Sequence, residues 1–331
     1  MKFALHEGPA RFGLDRCDDQ LGVERMVEIA RGCEVIVAMT RCCARVLLAV
    51  ALAACAVAAR ADAHIGPGSG SFVFPFLAAG KAREIVVWYH RPAAAQADAP
   101  VVFVMHGTGR TARNYRKYWI PFAEAQRFVL LVPEFSREQF PRDYNLERMT
   151  LPDGTRLPQS QWPYAAIERI FDAVREANGL HARTYDIYGH SAGGQFVHRL
   201  VLLLPEARFR VAVSANSGWY TMPDLAIAYP YGLAGTEVDR VQLAHALQRK
   251  LIVLIGDQDV DPNHPQLRRT PEAAAQGEHR VQRGHAFFEQ AQRVARELDA
   301  GFAWELHVAP GVAHSNARMA PHAAPFVGGH D

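Results

Sequence analysis

The chain has 331 residues, 49% of them hydrophobic and 21% charged. That is ample for a sizeable core and excludes a disordered chain. Its 36 Lys and Arg against 34 Asp and Glu leave a net charge of +2, so no electrostatic excess points to nucleic acid as a partner. The five cysteines are Cys17, Cys33, Cys42, Cys43 and Cys55. Everything after residue 55 therefore lacks the means for a disulfide, a thiolate metal site or a cysteine nucleophile.

Residues 1–38 read as a leader, either disordered or lying ahead of the true start at Met39. Residues 39–63 have the layout of a secretory signal. Arg41 and Arg45 give a basic start, and the apolar run from Val46 to Ala59 ends at two small-x-small sites, Ala59-Arg60-Ala61 and Ala61-Asp62-Ala63. The run is short against the ~20 residues that span a bilayer. Leu52-Ala53-Ala54-Cys55 also fits a lipobox, in which Cys55 would carry a lipid anchor. Cleavage and lipidation both predict export, to the periplasm or the medium. The remaining residues, 64–331, form one predicted catalytic domain.

Gly66-Pro67-Gly68-Ser69-Gly70 opens no helix after a strand, so it reads as a flexible segment and not as a dinucleotide fingerprint. Strands are predicted at 71–76 and 84–89, then at 101–105 and 128–132, the last two as continuous apolar runs typical of buried parallel strands. The aperiodic stretch 136–163 is expected to form a rim or cap over the C-terminal edge of the sheet. A helix at 164–177, a strand at 185–188, a helix at 193–204 and strands at 210–214 and 251–255 follow. A helix at 285–298 and a strand at 302–308 complete the pattern, with His322 and His330 in a Pro/Gly-rich tail. Such alternation predicts an α/β fold with a mostly parallel central sheet flanked by helices.

Chemistry concentrates at Gly189-His190-Ser191-Ala192-Gly193. This G-x-S-x-G run follows a strand and opens a helix, which would lift Ser191 Oγ clear of the sheet on a strained turn; a serine that only caps the helix is the bland alternative. A serine needs a base, an orienting acid and an oxyanion hole. The acid is sought after the 251–255 strand, where Asp257, Asp259 and Asp261 compete and Asp259 is favoured for its spacing from Gly256. The base is expected at His314, in the turn after the last strand. One oxyanion donor is the Ala192 N–H; the other is sought in Met105-His106-Gly107-Thr108-Gly109, at Thr108 or next at Gly109, with His106 buttressing the loop. Trp219 and Tyr220 fall beside the predicted nucleophile and are candidates to line a substrate pocket, or else plain core aromatics. The sequence contains neither H-E-x-x-H nor a Walker-type loop, and the predicted chemistry calls for no metal or cofactor.

From about residue 71 onward the chain resembles an α/β-hydrolase, of the branch of exported bacterial esterases and polyhydroxyalkanoate-depolymerase-like or feruloyl-esterase-like proteins. His106-Gly107-Thr108-Gly109, Gly189-His190-Ser191-Ala192-Gly193-Gly194 and the placement of Asp259 and His314 carry that resemblance. It implies an α/β-hydrolase fold and cleavage of a carboxylic ester, small or oligomeric, by a Ser-His-Asp triad. An amidase or peptidase and an acyltransferase would use the same residues. A non-catalytic binding protein on the same scaffold would keep the fold without the chemistry. The lack of cysteines after Cys55 departs from the disulfide-bearing secreted depolymerases, and no appended substrate-binding domain is expected from the pattern.

Overall fold

In a computed structural model the described residues are 62–141, 144, 149–151 and 154–329. The leader and nearly all of the signal lie outside them. Among them no helix is long and apolar enough to cross a membrane.

Two eleven-residue strands, β1 (Gly68–Ala78) and β2 (Lys81–Arg91), make an antiparallel hairpin that starts earlier than the sequence pattern implies. Ala79 and Gly80 close it with φ of 51° and 71°, the primed-turn geometry that matches strand twist. Gly68–Gly70, read above as flexible, is therefore strand. Gly70 lies flat beneath Tyr89, whose hydroxyl would sit 2.4 Å from a Cβ added there.

The other strands are β3 (Val101–Met105), β4 (Val129–Glu134), β5 (Tyr185–His190), β6 (Phe209–Ala215), β7 (Leu251–Gly256) and β8 (Glu305–Ala309). The sheet order is β1-β2-β4-β3-β5-β6-β7-β8, and pairing is parallel from β4 to β8. Alternate residues of the buried strands feed two cores. Phe103, Met105, Ile187, Val253 and Ile255 face one, and Val102, Val104, Tyr188, Ile252 and Leu254 the other.

Helices α1 (Ala112–Gln126), α2 (Pro163–Asn178) and α3 (Ala192–Leu203) are followed by α4 (Arg240–Gln248), the single turn α5 (Pro271–Ala274), α6 (Arg280–Glu297) and α7 (Asn316–Ala323). Apolar faces of α2, α3, α4 and α6 fill the first core, while α1 and α7 cover the second. The stretch 316–323, read as tail, is a helix because Ser315 Oγ caps it by accepting from Arg318 N, and Met319, Ala320 and Ala323 bury one face. Ala63, assigned above to the signal, is buried with Ile65. Asn178 holds both by donating to the Ala63 carbonyl and accepting from the Ile65 N–H, each at 2.9 Å.

Candidate active site

The strand order changes direction at β3, which has β4 on one side and β5 on the other. Crossovers leaving β3 and β5 therefore diverge, and a crevice opens between their C-terminal ends. Registration of Met105 against Gly189 brings the loop after β3 level with the turn after β5.

Ser191 occupies that turn with φ 61° and ψ −117°, a backbone conformation costly for a side chain. Small neighbours make it possible. A Cβ on Gly189 would lie 2.1 Å from the Gly193 carbonyl oxygen, and one on Gly193 would lie 2.1 Å from that of Met105. The elbow thus presses α3 directly onto the β3 loop.

His314 and Asp259 reach the same point from the loops after β8 and β7. His314 Nε2 lies 3.0 Å from Ser191 Oγ, and His314 Nδ1 lies 2.6 Å from Asp259 Oδ2. Three of the predicted residues are thereby brought into one hydrogen-bonded line. The competing aspartates are occupied elsewhere: Asp257 Oδ1 accepts from Gly311 N at 2.7 Å, and Asp261 Oδ1 accepts from Asn263 N within its own loop. Asn216, at the end of β6, braces the assembly by accepting from Gly256 N and donating to the Ala313 carbonyl.

Asp259 is 3% exposed. Burial alone would push its carboxyl up, but the hydrogen bond from His314 and the charge of Arg280 outweigh that and hold it below the ordinary carboxylate value. His314 is held below the usual histidine value of 6.5, first by burial and then by the Arg280 charge, against the pull of its bond to Asp259. Arg280 Nη1 lies 3.1 Å from Asp259 Oδ1. No motif in the sequence marked this arginine.

Thr108 and Ala192 line the cavity above Ser191, the two positions favoured as oxyanion donors. Gly109, the second choice, does not line it. Instead, Gly107 lies beside the nucleophile, where an added Cβ would sit 3.5 Å from Ser191 Cβ. His106 is a brace, as expected: buried and pushed down to about 3 by desolvation, its neutral ring bonds the Gly107 carbonyl and accepts from Phe135 N. The described residues of the 136–163 stretch secure this loop from below. Tyr144 donates to the His106 carbonyl at 2.6 Å, and Arg110 reaches the carbonyls of Phe135 and Phe140.

The cavity measures about 360 Å³. Trp219 lines it, with Gln195, Arg137 and Arg268. Tyr220 does not: its ring stacks on Phe287 in the core, centroids 4.4 Å apart and 17° from parallel. The Tyr220 ring also packs against His198, so it is turned into the core and away from the cleft. Sequence reasoning missed Arg137 and Arg268, which lie in segments without periodicity. Arg137 donates to the Thr108 carbonyl at 2.7 Å, and Arg268 stacks over Trp219 at 5.0 Å.

A mostly parallel eight-stranded sheet carrying a serine on a strained strand-to-helix turn at its switch point defines the α/β-hydrolase class. No protein-family model matches the sequence, and no curated protein does. Among solved structures the similarity is direct. Poly(aspartic acid) hydrolase-1 from Sphingomonas sp. KT-1 is 48% identical, with a TM-score of 0.77, over 80% of this chain and 99% of that one. LpqC, a poly(3-hydroxybutyrate) depolymerase from Bordetella parapertussis, is 35% identical at a TM-score of 0.74, over 79% of this chain and 90% of that one. An S-formylglutathione hydrolase from Agrobacterium tumefaciens, 15% identical with a TM-score of 0.50 over 80% of this chain and 95% of its own, shares the fold alone. The chain belongs to the α/β-hydrolase family that includes the first two.

Proposed function

We propose that the protein is a serine hydrolase that cleaves a carboxylic ester through an acyl-enzyme. Ser191 Oγ attacks the carbonyl carbon while His314 Nε2 takes its proton and later returns it to the leaving alcohol. Asp259 holds the other imidazole nitrogen and stabilises the imidazolium. The N–H groups of Ala192 and Thr108 receive the negative charge that develops on the carbonyl oxygen, each worth about 3 kcal/mol of barrier. Water then attacks the acyl-enzyme with His314 acting again as base. The observation that carries this reading is the line from Ser191 Oγ through His314 to Asp259, at 3.0 and 2.6 Å. It is tested with a panel of acyl esters turned over by wild type and by Ser191→Ala, which should lose all turnover and keep the wild-type fold.

A second reading has support of its own. Arg137 and Arg268 line the cavity beside Ser191, and two guanidinium groups there favour a substrate bearing carboxylates. Hydrolysis of an amide bond in a polyanionic chain would use the same triad, and the relative sharing 48% identity is named for poly(aspartic acid). The two readings part on substrates: turnover of poly(aspartate) that collapses at high salt favours the second, and turnover of neutral hydroxyalkanoate esters indifferent to salt favours the first. The protein is exported under either reading. Removal of the 39–63 signal would leave His64 as the mature N-terminus, which sequencing of the cell-made protein tests.

A further inference from the structure

The loop carrying Asp259 is held from behind by a residue with no part in the chemistry proposed above. Arg280 is the first residue of α6, and its side chain is 1% exposed against 2% for that of Asp259. Its Nη1 donates to Asp259 Oδ1 at 3.1 Å, while Oδ2 of the same carboxylate faces His314 Nδ1 at 2.6 Å. Its Nη2 lies 3.1 Å from His264 Nδ1, which also accepts from Gln266 N at 3.1 Å. That nitrogen is therefore an acceptor, and His264 is neutral. The His264 ring in turn stands edge-on to His314, centroids 5.1 Å apart. The hydrogen-bonded line thus runs on from Asp259 through Arg280 to His264.

We infer that Arg280 is a positioning residue of the triad: it clamps the Asp259 carboxylate on the side away from His314 and offsets its charge, so that the base stays free of its proton into more acidic solution. This rests on the triad reading above. A carboxylate with one oxygen held by a rigid guanidinium cannot rotate away from the imidazole. The same positive charge, buried and so poorly screened, opposes formation of the imidazolium. The other groups facing His314 are His190, its ring tilted by 35° at 4.7 Å, and His264, both neutral rings. Burial and the neighbouring positive charges push His190 well below the usual histidine value. Asp261 and Tyr220 also act on Arg280, and both favour its charged form.

The test is the acid limb of kcat/KM against pH for wild type, Arg280→Met and Arg280→Lys, followed in parallel by the rate of fluorophosphonate labelling. Loss of the charge in Arg280→Met should move the limb up by about one pH unit, so that the rate one unit below the limb falls about tenfold. Arg280→Lys should keep the wild-type limb with a lower kcat. A drop in kcat with the limb unmoved in Arg280→Met would mean a merely structural anchor and overturn the inference. Should Arg280→Met fail to fold, wild type in low and high salt decides. A limb that stays put fits a buried charge; a limb that moves assigns the effect to exposed arginines such as Arg137 and overturns the inference. Wild type that takes no label at any pH would overturn the triad reading itself, and this inference with it.

Discussion

Gly193→Ala probes one of the two tightest glycine contacts of the nucleophile turn with one methyl group. The added carbon would sit 2.1 Å from the Met105 carbonyl oxygen, 2.6 Å from its carbon and 2.9 Å from the His106 carbonyl oxygen. All three are backbone atoms and cannot swing aside. Relief therefore requires α3 and the β3 loop to separate by more than about 1 Å, given contacts near 3.5 Å. Overpacking of this kind costs about 1–3 kcal/mol. The same displacement moves Ser191 and Ala192 away from Thr108, and a 1 Å misplacement costs on the order of 100-fold in rate. Urea denaturation midpoints and kcat/KM on a chromogenic ester measure the two losses side by side. Ser191→Ala is the control, expected to abolish turnover with stability within about 0.5 kcal/mol of wild type. Wild-type rate and midpoint in Gly193→Ala would refute the reasoning, because the elbow would then not depend on the contact that shapes it.

Further predictions concern the supports and the cleft. Asn216→Ala should destabilise by about 1–3 kcal/mol, since it strands the buried Gly256 N–H, and should lower turnover by loosening the carbonyl of Ala313 next to His314; unchanged turnover in an equilibrium-stable variant would speak against the brace. Arg137→Ala and Arg268→Ala should each raise KM about twofold to fivefold for carboxylate-bearing substrates at low salt and leave a neutral ester unaffected; equal losses on both substrates would remove the electrostatic role. The acid limb of kcat/KM in wild type should lie below 6.5, because His314 must be neutral to act and burial lowers its affinity for the proton. A limb above 6.5 would contradict that balance.

Much of this fold can be read from local pattern. β3 and β7 are continuous apolar runs because both of their faces are covered, and β3 appears with the limits the pattern implies. The nucleophile turn is legible for a stronger reason, since backbone contacts at Gly189 and Gly193 leave almost no other residue type able to stand there. Four helices, α1, α4, α5 and α7, went unread in the sequence, two of them, α1 and α7, for a shared cause. In α1 the buried Ala112, Tyr115, Trp119 and Ala123 keep helical spacing, but Pro121 and the surrounding basic residues disguise it. In α7 the apolar face is built of small residues and interrupted by Pro321.

The site shows the same division. Asp259 and His314 follow strands, so topology alone delivers them to the edge where Ser191 stands. Arg280 carries no such mark. Nothing local distinguishes it among 36 basic residues, and its value arises only when α6 folds back on a loop 21 residues earlier. Tyr220 fails as a pocket residue because the direction of a side chain on an irregular segment depends on its tertiary neighbours, here Phe287 and His198. Gly109 fails similarly: the turn after Gly107 is set by Arg110, whose φ of 57° and bonds to Phe135 and Phe140 depend on a distant segment.

The central claim is that Ser191 is an activated nucleophile, and the intact mass of the protein after treatment with a fluorophosphonate tests it most directly. One adduct on wild type, absent from Ser191→Ala and strongly slowed in His314→Ala, is the predicted result. A well-folded wild type that takes no adduct, or an adduct that survives Ser191→Ala, would contradict the account.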